Sequence, residues 1–274
     1  MGTSGGRDLK DPRVMNYESP NNVICQSFNL EYNLDCRKRG RALLRRLGRQ
    51  QVHILDVGSG SGNYLLTNGG GTRDFLCLDS SRPALTLLRQ KTEKLGKPQI
   101  SFLQADAQRT PLRNDVFDGI IAGDIMEHLP RDVDFLVEMT RTLKPQGILV
   151  LSVPHGEKLT PFDIRAGHIR RYKANALTEL THEVGLIPIE VAYWGFPAIR
   201  LYDEFVSIFL RRNGGEGFAS RADMKFLKKM AKSRFFRLYL MILPFLEKVS
   251  SIDDYLKRCR MGSWLILCAT KING

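Results

Sequence analysis

Leu55-Asp56-Val57-Gly58-Ser59-Gly60-Ser61-Gly62-Asn63 is the stretch on which the fold turns. The apolar run from Val52 to Val57 leading into it reads as a buried parallel strand, and the glycines after it allow a tight turn with a ligand close to the backbone. Doubly wound sheets bind nucleotides at such a loop, beyond the carboxyl end of a strand at the point where strand order reverses. The spacing then narrows the ligand. A dinucleotide fingerprint runs Gly-x-Gly-x-x-Gly, whereas Gly58, Gly60 and Gly62 alternate and Asp56 lies two residues before the first of them. This favours a ligand without a pyrophosphate, one whose ammonium or carboxylate meets backbone groups and Asp56.

Working outward, short apolar runs recur from Asp74 to Leu78, Ile100 to Gln104, Phe117 to Ala122, Ile148 to Val153, Ile187 to Val191 and Trp264 to Thr270. Helical stretches separate them: Pro83 to Leu95, with the proline in a first turn; Val133 to Leu143, stopped by Lys144-Pro145-Gln146-Gly147; and Ala174 to Val184. Strand and helix in alternation predict a doubly wound, mostly parallel α/β sheet, and the first of these runs together with the six above make seven strands. Residues 1–51 form an N-terminal arm and a basic helix, Leu30 to Leu47, ended by Gly48. Residues 52–192 form the core, 193–262 a helical insertion or cap, and 263–274 the final strand. The insertion is too long for an ordinary connection, so it should have structure of its own, with helices from Phe196 to Leu210 and Phe235 to Leu246.

Two further acids stand at strand ends. Asp79, 17 residues after Gly62, is placed to take both hydroxyls of a ribose. Asp106 follows the third strand, where it can accept the exocyclic amine of an adenine while Ala107 leaves room for the ring. A lone strand-end Asp is often only a helix cap, but three at matching ends point to one ligand.

These residues resemble the motifs of the class I S-adenosylmethionine-dependent methyltransferases across roughly residues 40–192. Leu55 to Gly62 matches the family's first motif, Cys77-Leu78-Asp79-Ser80 its second and Ala105-Asp106-Ala107 its third. Phe117 to Ile121 with Asp124-Ile125-Met126-Glu127-His128-Leu129 matches the fourth, and Leu143-Lys144-Pro145-Gln146-Gly147 the fifth, with Gln146 where the family commonly has glycine. The resemblance implies S-adenosylmethionine as cofactor, a Rossmann-like sheet ending in an antiparallel strand, and cofactor contacts from Asp56, Gly58, Ser59, Gly60, Gly62, Asp79, Ser80, Asp106, Ala107 and Asp124.

Methyl transfer is an in-line displacement on a sulfonium, so the protein has to align the acceptor and remove one proton. His128 and His155 lie on the loops after strands four and five, and His168 follows in Gly167-His168-Ile169-Arg170-Arg171-Tyr172. That last segment is similar to one in quinone-biosynthesis O-methyltransferases, in which a histidine and an aromatic residue cover the acceptor. His128, His155 and His168 are therefore the candidate catalytic residues, and Arg170 and Tyr172 the candidate substrate contacts. Asp124, Glu127 and His128 also suit a hard cation, but a structural or cofactor-contact role is preferred and no metal is expected.

The 274 residues are 43% hydrophobic and 26% charged, which excludes wholesale disorder and coiled coil. The net charge of +12 is uneven: +5 in residues 1–51 (10 basic, 5 acidic), −1 in 52–192 (16, 17) and +8 in 193–274 (15, 7). Basic flanks invite an anionic partner, such as a membrane surface or RNA, although no RNA-binding module or Asn-Pro-Pro-Tyr-type motif is present and nucleic acid is disfavoured. Five scattered cysteines without zinc spacing fit reduced thiols, and the first 20 residues lack an apolar signal core, so a cytoplasmic protein with possible membrane association is expected. The preferred acceptor is a small or lipid-like hydroxylated molecule methylated on oxygen. C-methylation, RNA methylation and a silent cofactor-binding partner protein are the alternatives.

Overall fold

In strand β1 (His53–Val57) only His53 is exposed. Its side chains divide between two layers: Leu55 and Val57 pack into one core with Ile120, Ala122, Leu149, Leu151, Val153, Leu265 and Leu267, whereas Ile54 joins Ile121, Val150, Ile266 and Cys268 on the opposite face. A strand covered on both faces must be apolar at nearly every position, which explains the unbroken hydrophobic runs. The computed structural model describes residues 34–48, 52–62, 65, 73–96, 99–201, 234–256 and 259–272.

After β1 the chain forms β2 (Asp74–Asp79), β3 (Ile100–Gln104), β4 (Phe117–Gly123), β5 (Leu143–Pro154), β6 (Leu186–Trp194) and β7 (Trp264–Lys271). They make one seven-stranded sheet in the order β3-β2-β1-β4-β5-β7-β6. Neighbours from β3 to β5 are parallel, and β7 is antiparallel to both β5 and β6. This is the expected Rossmann-like α/β sheet, and its order reverses between β1 and β4. The carboxyl ends of those two strands therefore flank the crevice where a ligand fits.

Helix α1 (Leu34–Leu47) packs Ala42, Leu43 and Leu47 onto the Ile54 face. Helix α2 (Arg82–Lys94) starts at Ser81, whose hydroxyl accepts from Ala84 N–H, and adds Leu88 to the same layer. Helix α3 (Asp132–Thr142) and α5 (Ala174–Glu183) cover the other face through Phe135, Leu136, Met139 and Leu177. Between β5 and α5 stands α4 (Pro161–Ala166). Beyond β6, residues 198–201 are helical, then α6 (Arg234–Val249) and α7 (Ile252–Tyr255) precede β7.

Most expected boundaries hold within two residues, with two instructive differences. The helix expected to run through Leu143 stops at Thr142, and β5 begins immediately, so Lys144-Pro145-Gln146-Gly147 lies within an irregular strand whose pairing register to β4 shifts. Gln146 there has φ +64°, the left-handed backbone that explains a glycine preference at this position. The short α4 was not anticipated from hydrophobic periodicity. The N-terminal arm, the start of the first helix before Leu34 and the expected helix beyond residue 201 lie outside the described residues. No described helix is long and apolar enough to cross a membrane, and no disulfide joins the described cysteines Cys36, Cys77, Cys259 and Cys268.

Candidate active site

The glycine loop is held by backbone bonds. Gly58 and Ser59 N–H both donate to Leu78 O (2.8 and 3.1 Å), and Gly62 N–H donates to Ser59 O (2.8 Å). Two of its glycines are required by close approach: a Cβ at Gly58 would sit 2.8 Å from Ile125 Cδ1 of the β4 loop, and one at Gly62 would sit 2.0 Å from Leu88 Cδ1 of α2. Gly60 differs. Among the described residues a Cβ there would meet nothing nearer than Gly58 O at 4.0 Å, an open side that offers room for a ligand against the backbone. Beside it, the buried Ser59 hydroxyl has no hydrogen-bond partner among the described residues.

Asp79 is tied to this loop. Its Oδ2 accepts from Gly60 N–H and its Oδ1 from Ser81 N–H, each at 2.8 Å, so one carboxylate fixes both the turn and the start of α2. Asp56 is buried at the end of β1. Burial, with a smaller contribution from the Asp79 charge, pushes its carboxyl up to about 7. A carboxyl poised near neutrality is ready to ionise for an incoming cation. Asp106 is exposed and accepts from Gln108 N–H (2.9 Å) and Gln108 Nε2 (3.2 Å), Ala107 is buried in the main core, and Ser80 is exposed with its carbonyl accepting from Gln104 Nε2 (3.0 Å).

Asp124, expected at the cofactor, is the hub of an internal network. Its backbone lies at φ +57°. Its Oδ2 pairs with Arg39 Nη2 at 2.7 Å and its Oδ1 accepts from Ser152 Oγ at 2.7 Å. Arg39 comes from α1, is 1% exposed, lies 3.2 Å from Asp35 Oδ2 and has its guanidinium 3.7 Å above the Trp264 ring. Asp35 Oδ1 accepts from Trp194 Nε1 (2.9 Å). Through these contacts the arginine links α1, the β4 loop, β5 and the paired strands β6 and β7. Nothing in its local sequence distinguishes it from its basic neighbours. Arg46, in ion pair with Glu190 (2.9 Å), and Arg41, with Glu247 (2.9 Å), are likewise used within the molecule.

Around the histidines expected to face the acceptor, α4 does the positioning. Thr160 and Asp163 form a capping box ahead of Pro161, and Gly167 closes the helix at φ +77°. That pattern is readable in Thr160-Pro161-Phe162-Asp163 and was the overlooked signal. Asp163 Oδ1 holds His168 Nδ1 at 2.8 Å, and its Oδ2 pairs with Arg171 Nε at 2.9 Å. Burial works to raise the Asp163 carboxyl, but the bonds from His168 and Thr160 and the Arg171 charge outweigh it and hold the group well below the usual range. His128 Nδ1 lies 3.2 Å from Gly167 O, and its ring stands edge-on to His168 with centroids 4.8 Å apart. His155 Nδ1 lies 2.9 Å from Gly262 O beside the Tyr193 ring. Arg170 and Tyr172, expected as substrate contacts, both turn to Asp132, at 2.6 Å (Nη1) and 2.9 Å (Oη). Burial, then the Asp132 charge, pushes the Tyr172 phenol up. The structure thus brings His128 and His168 together and sets His155 apart at the β5 end.

Residues 55–151 match the family model described as a methyltransferase domain. Among proteins of known role, the demethylmenaquinone methyltransferase of Bacillus cereus (strain B4264) is 28% identical over 122 residues, which cover 43% of this chain and 51% of that one. The chain thus spans about half the length of the relatives it matches. Residues 55–151 thus carry a methyltransferase domain, in agreement with the expected class I S-adenosylmethionine-dependent fold. Among solved structures, the phosphoethanolamine N-methyltransferase 2 of Haemonchus contortus in complex with S-adenosyl-L-methionine superposes with a TM-score of 0.61 at 17% identity, over 93% of this chain and 58% of that one. The [4+2]-cyclase SpnF superposes with a TM-score of 0.60 at 16% identity, over 87% and 82%. These likenesses are of fold, and a fold shared with a cyclase leaves the reaction to be argued from the methyltransferase site itself. The residues present fit the cofactor: the open side of Gly60, the partnerless Ser59 hydroxyl and the poised Asp56 carboxyl offer shape, a donor and a counter-charge at one strand end.

Proposed function

We propose that the protein transfers the methyl group of S-adenosylmethionine to the oxygen of a small or lipid-like hydroxylated acceptor. Asp56 ionises against the cofactor's ammonium, Asp79 takes the ribose while keeping the turn in place, and Asp106 meets the adenine edge. The cofactor supplies an electrophilic methyl group. The chain's part is to hold the acceptor hydroxyl in line and take its proton.

The observation that carries the oxygen assignment is the set of histidines on the loops after β4 and β5, each with Nδ1 against a fixed acceptor: Gly167 O, Gly262 O and the Asp163 carboxylate. Donation from Nδ1 leaves the basic lone pair on Nε2, and a neutral imidazole in that tautomer suits removal of a hydroxyl proton near pH 7. His155, held by Gly262 O, is the base in this reading. A lipid-like acceptor is supported by apolar side chains exposed on α6 and α7, with Met241 78%, Phe245 66% and Tyr255 87% accessible among the described residues. Together with the +8 charge of residues 193–274, they favour peripheral contact with an anionic membrane.

The test is transfer of labelled methyl from S-adenosylmethionine to a panel of hydroxylated aromatics and isoprenoid-linked phenols, with His155→Gln alongside. The expected result is an O-methylated product and a kcat lowered about 100-fold in the variant, at unchanged cofactor affinity. Products methylated on carbon or nitrogen contradict the assignment. For the membrane contact, co-sedimentation with anionic vesicles at low salt is expected and its absence removes that part.

A further inference from the structure

Glu127 is fully buried, and neither carboxylate oxygen has a hydrogen-bond partner among the described residues. An isolated buried carboxylate is costly, and a native structure retains one where something compensates it. Two imidazoles face it. One ligand atom each from Glu127, His128 and His168 lies within 4.8 Å of the others, and His168 Nε2 stands 3.8 Å from Glu127 Oε1. The opposite nitrogen of each ring is already anchored: His168 Nδ1 on the Asp163 carboxylate at 2.8 Å and His128 Nδ1 by Gly167 O at 3.2 Å. Metal-binding histidines are oriented in this way, by a carboxylate or carbonyl on the ring nitrogen that does not ligate. Asp163 is in turn fixed by Thr160 and Arg171.

We propose that Glu127, His128 and His168 form a binding site for one divalent transition-metal ion, with zinc or manganese the fitting class. Two neutral imidazoles and one carboxylate leave further coordination positions open, and His128, the partly exposed member, marks the side from which ion and ligand enter. Ligand atoms at 2.0–2.2 Å from one ion lie roughly 3–4 Å apart, so binding draws the three groups together by less than about an ångström per side chain. A divalent ion would also compensate the buried Glu127 carboxylate, whose oxygens have no hydrogen-bond partner among the described residues. In the proposed reaction an open position would bind the acceptor's hydroxyl and lower its pKa; that role, unlike the site itself, rests on the methyltransferase reading.

The test uses the full chain without a polyhistidine tag, stripped with chelator and titrated calorimetrically with Zn²⁺ and with Mn²⁺, with Co²⁺ followed by visible absorption. One saturable equivalent is expected. Affinity should fall at least about tenfold in Glu127→Gln and in His168→Gln, and by a comparable factor in Asp163→Asn, which touches no ion. His182→Gln, an exposed histidine on α5, serves as the control and should bind as the parent does. Thermal melts of the stripped proteins establish that each variant folds, and a variant that does not is replaced by His128→Gln. No saturable binding to the parent, or binding unchanged in every ligand variant, overturns the site. Binding without an effect of metal on methyl transfer leaves the site standing and removes only its catalytic role, whereas failure of S-adenosylmethionine to bind removes the methyltransferase reading and leaves the metal titration unaffected.

Discussion

The two sides of the crevice are built by different means. The proposed cofactor side, from β1 to β3, is made largely of bonds to backbone within one motif and the next strand: Asp79 accepts from Ser81 two residues on and from Gly60 19 positions back, Gly62 is held by Ser59 O, and Gly58 and Ser59 by Leu78 O of β2. The acceptor side and its support are made of side chains brought from far apart, Arg39 to Asp124 across 85 positions and Trp194 to Asp35 across 159. A site of the first kind can be read from a motif, because the motif is the site. One of the second kind exists only after folding, so its residues carry no local signature.

If this contrast is right, breaking the second side should cost stability and breaking the first should cost cofactor. Arg39→Met leaves the buried Asp35 and the half-buried Asp124 without the Arg39 cation and should destabilise the protein by about 3 kcal/mol, read from urea unfolding. A loss below about 1 kcal/mol would make the network ornamental. Asp79→Ala removes the acceptor of two backbone N–H groups and the proposed ribose partner, and should weaken S-adenosylmethionine binding about 100-fold by calorimetry while the fold stays cooperative. Equal affinity would take Asp79 out of the site.

Asp56 sharpens the comparison through pH. With its carboxyl raised to about 7, the ionised form that meets a cationic ligand is scarce in acid, so affinity should rise about tenfold from pH 6 to pH 8 and Asp56→Asn should flatten the profile. For the free protein the sign is opposite. A carboxyl whose folded pKa lies above its unfolded value stabilises the fold fully below about pH 4, and that contribution is lost as pH rises toward 7, so the asparagine variant should show a shallower decline across this window. The smallest effect is at Gln146, where φ +64° strains a residue with a Cβ: Gln146→Gly should raise stability by about 0.5–1 kcal/mol, visible as an increase in Tm with binding unchanged.

The same contrast explains what the sequence made legible. The sheet was readable because strands buried on both faces must be apolar throughout, and Leu55 to Gly62 was readable because spacing restricts what backbone can do there. Arg39 was not. Its neighbours Lys38 and Arg41 share its charge, and only the fold places one of the three over Trp264 and against Asp124. The basic flank therefore looked more exposed than it is, with Arg41 and Arg46 also engaged by glutamates brought from Glu247 and Glu190. Asp163 lies between these cases: its capping box was visible, but its bond to His168 follows from the turn at Gly167, a consequence of geometry and not of pattern. Arg170 and Tyr172 show the converse, since a motif that resembled an acceptor lid supplies side chains that meet on Asp132.

The most direct test of the account is calorimetric titration of the folded chain with S-adenosylmethionine, followed in the same cell by NAD and ATP. Saturable one-to-one binding of S-adenosylmethionine alone, lost in Asp79→Ala, is the predicted result. No binding by cooperatively folded protein, or equal binding of the other two nucleotides, would contradict it.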